Sequence, residues 1–239
     1  MTKSEFISTL LSKSAEFGVT LSNEQAEKLF IYYEELVRVN EYMNLTAITE
    51  PEDVIVKHFI DSLALVKYSF IKENASLVDV GTGAGFPGVV VKIARDDIKL
   101  TLMDASGKRI NFLEELCEKL GIEVECVHIR AEQAGVDTDY REEFDVVTSR
   151  AVAELRTLSE YSLPLVKVNG KFVALKGKNG CDEVNAAKSA IAVLGGKLIK
   201  VEEYSLFDAG ERTVVEIKKV KKTSSKYPRH NSQIKSKPL

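Results

Sequence analysis

The chain has 239 residues, with 33 Lys and Arg against 36 Asp and Glu for a net charge of −3, and 44% of its residues are hydrophobic. Domains usually run to about 100–200 residues, so the length fits one large domain or a medium one with an extension. This apolar content excludes whole-chain disorder, and no uninterrupted run of about 18 apolar residues is present to span a bilayer. The opening MTKSEFISTL lacks the apolar stretch of a secretory signal, so a soluble, cytosolic protein without a membrane partner is expected. Cys117, Cys126 and Cys181 are odd in number and show neither C-x-x-C spacing nor a disulfide framework, which predicts reduced thiols. Charge is unevenly spread: Lys218 to Leu239 holds eight basic residues and no acidic one, leaving −11 on residues 1 to 217. A basic tail on an acidic body suits either an anionic partner or a solubilising extension.

Residues 3 to 70 read as helical. Phe6, Ile7, Leu10 and Leu11, then Leu29, Phe30, Tyr33, Leu36 and Val37, recur at the three-and-four spacing of a helix face, with Ser22 or Asn23 as a cap. Tyr42 to Thr46 breaks the pattern, and Pro51 suits the first turn of a third helix carrying Ile55, Phe59, Leu63 and Val66. Beyond residue 75 short β-rich runs alternate with helical stretches, and strands are predicted at 76–81, 99–104, 123–128, 143–149, 170–176, 197–203 and 212–218. Helix-length segments separate the first five, as in a parallel sheet with crossover helices on both faces. The segment from Glu203 to Glu211 is too short for a crossover helix, so the last two strands are expected to form an antiparallel hairpin.

The strongest motif runs from Leu77 to Gly88, an apolar strand entering the turn Gly81-Thr82-Gly83-Ala84-Gly85-Phe86-Pro87-Gly88. Glycines let a ligand approach amide groups that a Cβ would cover. A dinucleotide fingerprint would need glycine where Phe86 stands, and the G-K-[ST] of a phosphate-binding P-loop is missing. The remaining pattern, D-x-G-x-G-x-G, resembles the first motif of S-adenosylmethionine-dependent methyltransferases. Asp104 ends the next strand, 19 residues after Gly85, where a carboxylate can accept from both hydroxyls of an unphosphorylated ribose or, alternatively, cap the following helix. A terminal antiparallel hairpin agrees with the seven-stranded sheet this resemblance implies.

Chemistry narrows the acceptor. An exocyclic amine calls for an Asn or Asp followed by Pro-Pro-aromatic after the fourth strand, where this chain reads Thr148-Ser149-Arg150-Ala151. Methylating a pyrimidine carbon needs a cysteine nucleophile, yet Cys117 and Cys126 fall mid-helix and mid-strand and Cys181 is not preceded by Pro. A ring nitrogen such as guanine N7 has an in-plane lone pair and no proton to lose, so positioning and desolvation suffice.

Along nearly its whole length the chain resembles the bacterial RsmG (GidB) family of 16S rRNA guanine-N7 methyltransferases. The matching segments include Asn44-Leu45-Thr46, Lys57 to Ser62, the glycine loop, Lys108-Arg109, Arg130-Ala131-Glu132, Ser149-Arg150-Ala151, Ala174 to Gly177 and Tyr227-Pro228-Arg229. The resemblance implies an α/β fold: a seven-stranded, doubly wound, Rossmann-like methyltransferase sheet whose last strand is antiparallel. A helical extension (1–70) is expected over the sheet edge, followed by a cofactor-binding domain (71–217) and a basic tail (218–239). It implies S-adenosyl-L-methionine as cofactor, held by Gly81, Gly83, Gly85, Phe86, Asp104, Ala131, Glu132 and Arg150, and no metal. It also implies 16S rRNA or a small-subunit precursor as partner, and a monomer. Arg150, Lys176, Asn44 and His58 are the candidate catalytic residues. Each has a plainer alternative: His58 as a satisfied core histidine, Asn44 as the organiser of its turn, Arg150 paired with Asp145 or Glu154, and Lys176 on the surface rather than on an RNA phosphate at the sheet's carboxyl edge. Two positions depart from the family: Val39 stands where Trp is usual, and His230-Asn231-Ser232-Gln233-Ile234 replaces a Lys-rich Gly-Thr-Pro segment. Other readings are a methyltransferase of a small molecule or protein, and a non-catalytic, cofactor-sensing RNA-binding module.

Overall fold

The computed structural model describes residues 1–68 and 70–239. Helices α1 (Lys3–Phe17) and α2 (Asn23–Met43) both start on a capping box, in which Thr2 and Ser22 accept from the third backbone N–H while Glu5 and Gln25 accept from the cap's own N–H. These bonds satisfy donors that a helix start leaves bare. The buried stripe of α2 is Ala26, Leu29, Tyr32, Leu36 and Val39. This is about one position round from the predicted face, so Tyr32 is fully buried while Tyr33 and Phe30 are only partly so. Pro51 opens α3 (Pro51–Val54), which passes into a π-helical stretch, Ile55–Ile60, and then α4 (Ala64–Lys67).

The strands are β1 (Ser76–Val80), β2 (Lys99–Asp104), β3 (Glu125–His128), β4 (Phe144–Arg150), β5 (Val166–Gly177), β6 (Gly196–Ser205) and β7 (Glu211–Lys219), in the order β3-β2-β1-β4-β5-β7-β6. Pairing is parallel from β3 through β5, and β7 inserts antiparallel between β5 and β6. The predicted hairpin therefore forms, with its second strand on the inside. Alternation along the strands divides the interior into two cores. Leu77, Val146, Val173 and Val214 face one, beneath α5 (Gly88–Ala94) and α6 (Gly107–Leu120). Val78, Val147, Ala174 and Val215 face the other, together with the short α7 (Ala131–Ala134), beneath α8 (Leu155–Ser162) and α9 (Gly180–Val193).

The N-terminal helices do not cap the sheet edge, as expected from sequence, but share the first of these cores. Phe6, Leu29, Tyr32 and Phe59 pack in one cluster with residues of the central strands β1, β4 and β5.

The tail is folded onto the second face. Lys219 is fully buried, with its ammonium near Glu142 (3.2 Å) and donating to the Val166 carbonyl; burial pulls its pKa down to about 8. Arg229 donates to both oxygens of the buried Glu160, the shortest contact being 2.6 Å. The chain then forms α10 (Asn231–Ser236), whose Ile234 is buried. Two of the eight tail cations are thus consumed by the fold, and Lys218, Lys221, Lys222, Lys226, Lys235 and Lys237 stay exposed. Among the described residues no helix is long and apolar enough to cross a membrane, and no group of three acidic, His or Cys side chains is placed to hold a metal. The three cysteines are free thiols.

Candidate functional site

The carboxyl ends of β1 to β4 open into a cavity of about 810 Å³, at the sheet edge where open α/β folds bind ligands. Its floor is the glycine loop. Gly85 has φ +104°, and a Cβ there would stand 2.6 Å from the Tyr32 hydroxyl and 2.8 Å from Val89. Only glycine lets the loop close against α2, from which Tyr32 donates a 2.6 Å hydrogen bond to the Ala84 carbonyl. At Gly83 a Cβ would meet nothing within 4 Å, so its backbone faces open space, and its N–H donates to Asp104 Oδ2 at 2.9 Å. Asp104 Oδ1 accepts from the Ser106 N–H at 2.9 Å. Both oxygens are thereby fixed in place at the cavity wall, and each retains a second lone pair for a ligand. Ser106, not Asp104, is the cap residue of α6.

Asp79 lies fully buried beneath this loop. Its Oδ2 accepts from the Thr82 hydroxyl and the Gly88 N–H, both at 2.8 Å, while Oδ1 has no partner within the protein. Burial raises its pKa to about 6. An orphaned carboxylate oxygen under a glycine turn is chemically suited to a cationic amine, and the loop, Asp104 and the cavity volume together fit a nucleoside carrying an amino-acid arm. The far wall is formed by Ile129, Arg130, Ala131 and Glu132, after β3.

The opposite end is made of side chains. Phe86 is sandwiched between Tyr32 (ring centroids 5.1 Å apart) and His58 (4.4 Å), with the Arg150 guanidinium 5.0 Å from its ring centre. Arg150 donates to Asp61 Oδ2 at 2.9 Å, to the Lys57 carbonyl at 3.2 Å and to His58 Nδ1 at 3.2 Å. Asp61 Oδ1 in turn accepts from the Tyr204 hydroxyl at 3.0 Å, with Arg212 3.6 Å away. His58 lies within the π-helical stretch and Asp61 directly follows it. A guanidinium only donates, so Nδ1 carries the lone pair and Nε2–H must donate to Thr46 Oγ1, 2.9 Å away. Burial, reinforced by Arg150, lowers the His58 pKa to about 3, so the ring is neutral.

The sequence candidates thus fall into three groups. Gly81, Gly83, Phe86, Asp104, Ala131, Glu132, His58 and Arg150 line the cavity, with Gly85 beneath it. Arg150 pairs with neither Asp145 nor Glu154, because Asp61 holds it; Asp145 instead accepts from Ser76. Asn44 is exposed outside the cavity lining, at φ +51° as the C-cap of α2, a conformation Asn tolerates well. Lys176 is neither on the surface nor free for a phosphate. Its side chain is 8% exposed and its ammonium binds Glu183 (2.7 Å) and the Ala153 carbonyl (2.8 Å), in a recess of about 330 Å³ beyond Arg150. Sequence reasoning passed over Asp79, although it opens the D-x-G-x-G-x-G motif. It also passed over Thr46, Asp61 and Tyr32, and over Asn231 and Lys235, by which the divergent tail lines the cavity. Asn231 is held there by the Tyr161 hydroxyl at 2.6 Å.

A seven-stranded sheet with an inserted antiparallel strand, a glycine turn after β1 and a carboxylate ending β2 define an S-adenosyl-L-methionine-dependent methyltransferase. A solved methyltransferase of that kind from Aquifex aeolicus shares the fold, with a TM-score of 0.54 at 18% identity over 73% of this chain and 96% of that one. Residues 25–228 match the GidB family model, described as rRNA small subunit methyltransferase G. Proteins named ribosomal RNA small subunit methyltransferase G from Lactobacillus helveticus and Acetivibrio thermocellus are 49% and 46% identical. They align over 94% and 96% of this chain and 95% of each relative. The chain belongs to the small-subunit rRNA methyltransferase G family.

Proposed function

We propose that the protein transfers a methyl group from S-adenosyl-L-methionine to N7 of a guanine in 16S rRNA, acting as a monomer in the cytoplasm. The observation that carries the choice of acceptor atom is the state of His58. The ring nearest the acceptor end of the cavity is neutral, holds its Nδ1 lone pair on Arg150 and spends its Nε2–H on Thr46, so it cannot take up a proton. A ring nitrogen needs no base, whereas an amine or hydroxyl acceptor would. The cationic product is also tolerated, because the charge of Arg150 is neutralised by Asp61.

In this reading the cofactor supplies an electrophilic methyl on a sulfonium and leaves as a neutral thioether. Gly81 and Gly83 would give it backbone access, Asp104 would take the ribose hydroxyls, Ala131 and Glu132 would flank the adenine, and the Asp79 carboxylate would offset the charge of the amine from beneath the loop. Phe86, backed by Tyr32 and His58, closes the methyl-transfer end and excludes water. RNA phosphates are met by Arg130 and Lys235, both exposed at the rim, with the exposed tail lysines extending the track. The acidic body repels RNA elsewhere, so affinity falls steeply with salt, the slope shrinking by about 0.7–0.9 per phosphate contact removed.

Incubation with radiolabelled cofactor and small-subunit rRNA, followed by nucleoside analysis, tests the proposal. Label in 7-methylguanosine is expected. Label in another nucleoside, in protein or in no product would sink it.

A further inference from the structure

We propose that the Thr46 hydroxyl reads O6 of the acceptor guanine and so determines which purine is methylated; this rests on the guanine-N7 reading above. Thr46 stands at the acceptor end of the cavity beside His58, in the turn between α2 and α3. The turn is tied back to α2: the Thr46 N–H donates to Asn40 Oδ1 at 2.8 Å.

Lone-pair accounting then fixes what Thr46 can offer. A hydroxyl has two acceptor lone pairs and one proton. One lone pair takes the Nε2–H of His58 at 2.9 Å, because Arg150 occupies Nδ1 and forces that tautomer. The other takes the Ile48 N–H at 3.0 Å. Among the described residues no acceptor is placed for the Thr46 proton. The hydroxyl is therefore a pure donor, with its proton available to the cavity and no capacity to accept.

Guanine presents N7 and O6 side by side on one edge, both acceptors, whereas adenine places an N6 amine donor beside its N7. A purine that turns N7 toward the methyl must bring its neighbouring group with it. A pure donor at that point bonds O6 and faces the adenine amine donor to donor, leaving both groups unpaired, which is an effective way to reject the wrong base. The chain of bonds from Asp61 through Arg150 and His58 to Thr46 gives the network a purpose beyond packing: it removes every acceptor from the hydroxyl.

The experiment uses the full chain and RNA in which the methylated guanine, once mapped by nucleoside analysis, is replaced by 2-aminopurine, which keeps N7 and lacks O6. Thr46→Val is expected to lower kcat/KM on guanine by roughly 10- to 100-fold more than on 2-aminopurine, because the lost acceptor of the His58 and Ile48 donors weighs on both substrates alike. Thr46→Ser, which keeps the hydroxyl, should restore the preference for guanine. An equal loss on both substrates would assign Thr46 a purely structural role and overturn the proposal, as would wild-type methylation of 2-aminopurine at the guanine rate. That last comparison needs no variant, so it can overturn the proposal even if Thr46→Val does not fold. Absence of 7-methylguanosine with wild type would instead remove the reading on which the proposal stands, and is distinguished by needing no variant.

Discussion

The two ends of the cavity are built on different principles. At the cofactor end the chain offers backbone: a turn of alternating glycines, N–H groups tied to Asp79 and Asp104, and a wall after β3. At the acceptor end it offers side chains drawn from β4, β6 and the helical extension and locked by one another, through Asp61, Arg150, His58, Tyr204 and Thr46. The first design admits a fixed ligand close to main-chain atoms. In the proposed function, the second holds a hydrogen-bonded face against a base of the RNA substrate. Each should fail in its own way when disturbed, and that difference can be measured.

The acceptor end should be the more fragile in stability. Asp61→Ala strands the Arg150 guanidinium, whose side chain is 13% exposed, and removes the acceptor of Tyr204. A loss of about 3–5 kcal/mol in urea unfolding is expected, as for other broken buried ion pairs. A loss below about 1 kcal/mol would mean that water readily replaces the pair, and the contrast between the two ends would collapse. At the cofactor end, Gly85→Ala combines φ +104° with contacts of 2.6 to 2.9 Å to Tyr32, Val89 and Leu113. It should cost about 2–4 kcal/mol. Gly83→Ala, with nothing within 4 Å, should cost about 1 kcal/mol in stability yet weaken cofactor binding by calorimetry, since its methyl group enters the cavity.

Acid and base sharpen the same comparison, because the two ends titrate with opposite sign. Asp79, with a pKa near 6 against an ordinary 3.8, binds its proton more tightly when folded. Its contribution to stability is fully present below about 3.8 and is lost as pH rises through 6, an effect of about 2–3 kcal/mol. A bound ammonium reverses its preference, so cofactor affinity should tighten as pH rises from 5 to 7, and Asp79→Asn should abolish that trend. His58, depressed from 6.5 to about 3, contributes stability above 6.5 that is lost as pH falls toward 3. His58→Gln should flatten the acid limb of the stability curve, and an unchanged limb would contradict the buried, neutral ring.

How legible each part was in the sequence follows from the same division. The glycine loop, the strand that feeds it and Asp104 lie within 28 residues, and period-two alternation marks the strands, so local pattern was enough to place them. The acceptor end joins residues 46, 58, 61, 150 and 204, and no spacing rule connects them. Arg150 was singled out by the family resemblance and its position after β4, and its partner Asp61, 89 residues away, was not foreseen. The π-helical stretch shifts His58 and Asp61 off a 3.6-residue face, and the one-position rotation of α2 exchanged Tyr33 for Tyr32. Lys176 looked like an RNA-phosphate ligand because it stands at the end of the fifth strand, on the carboxyl edge of the sheet where substrates sit; its capture by Glu183 depends on where α9 begins.

Tyr32 touches both ends, and its hydroxyl separates their contributions. Its ring stacks on Phe86 while its hydroxyl donates to the Ala84 carbonyl in the glycine loop. Tyr32→Phe keeps the ring and leaves that buried carbonyl unpaired, which should cost about 1–2 kcal/mol in stability. If the loop is held mainly by this bond, cofactor affinity should fall by about three- to tenfold, at a cost comparable to the lost bond, with the rate at saturating cofactor unchanged. A fall in that rate with affinity unchanged would instead mean that the hydroxyl serves the stacked acceptor face, joining the two ends into a single unit.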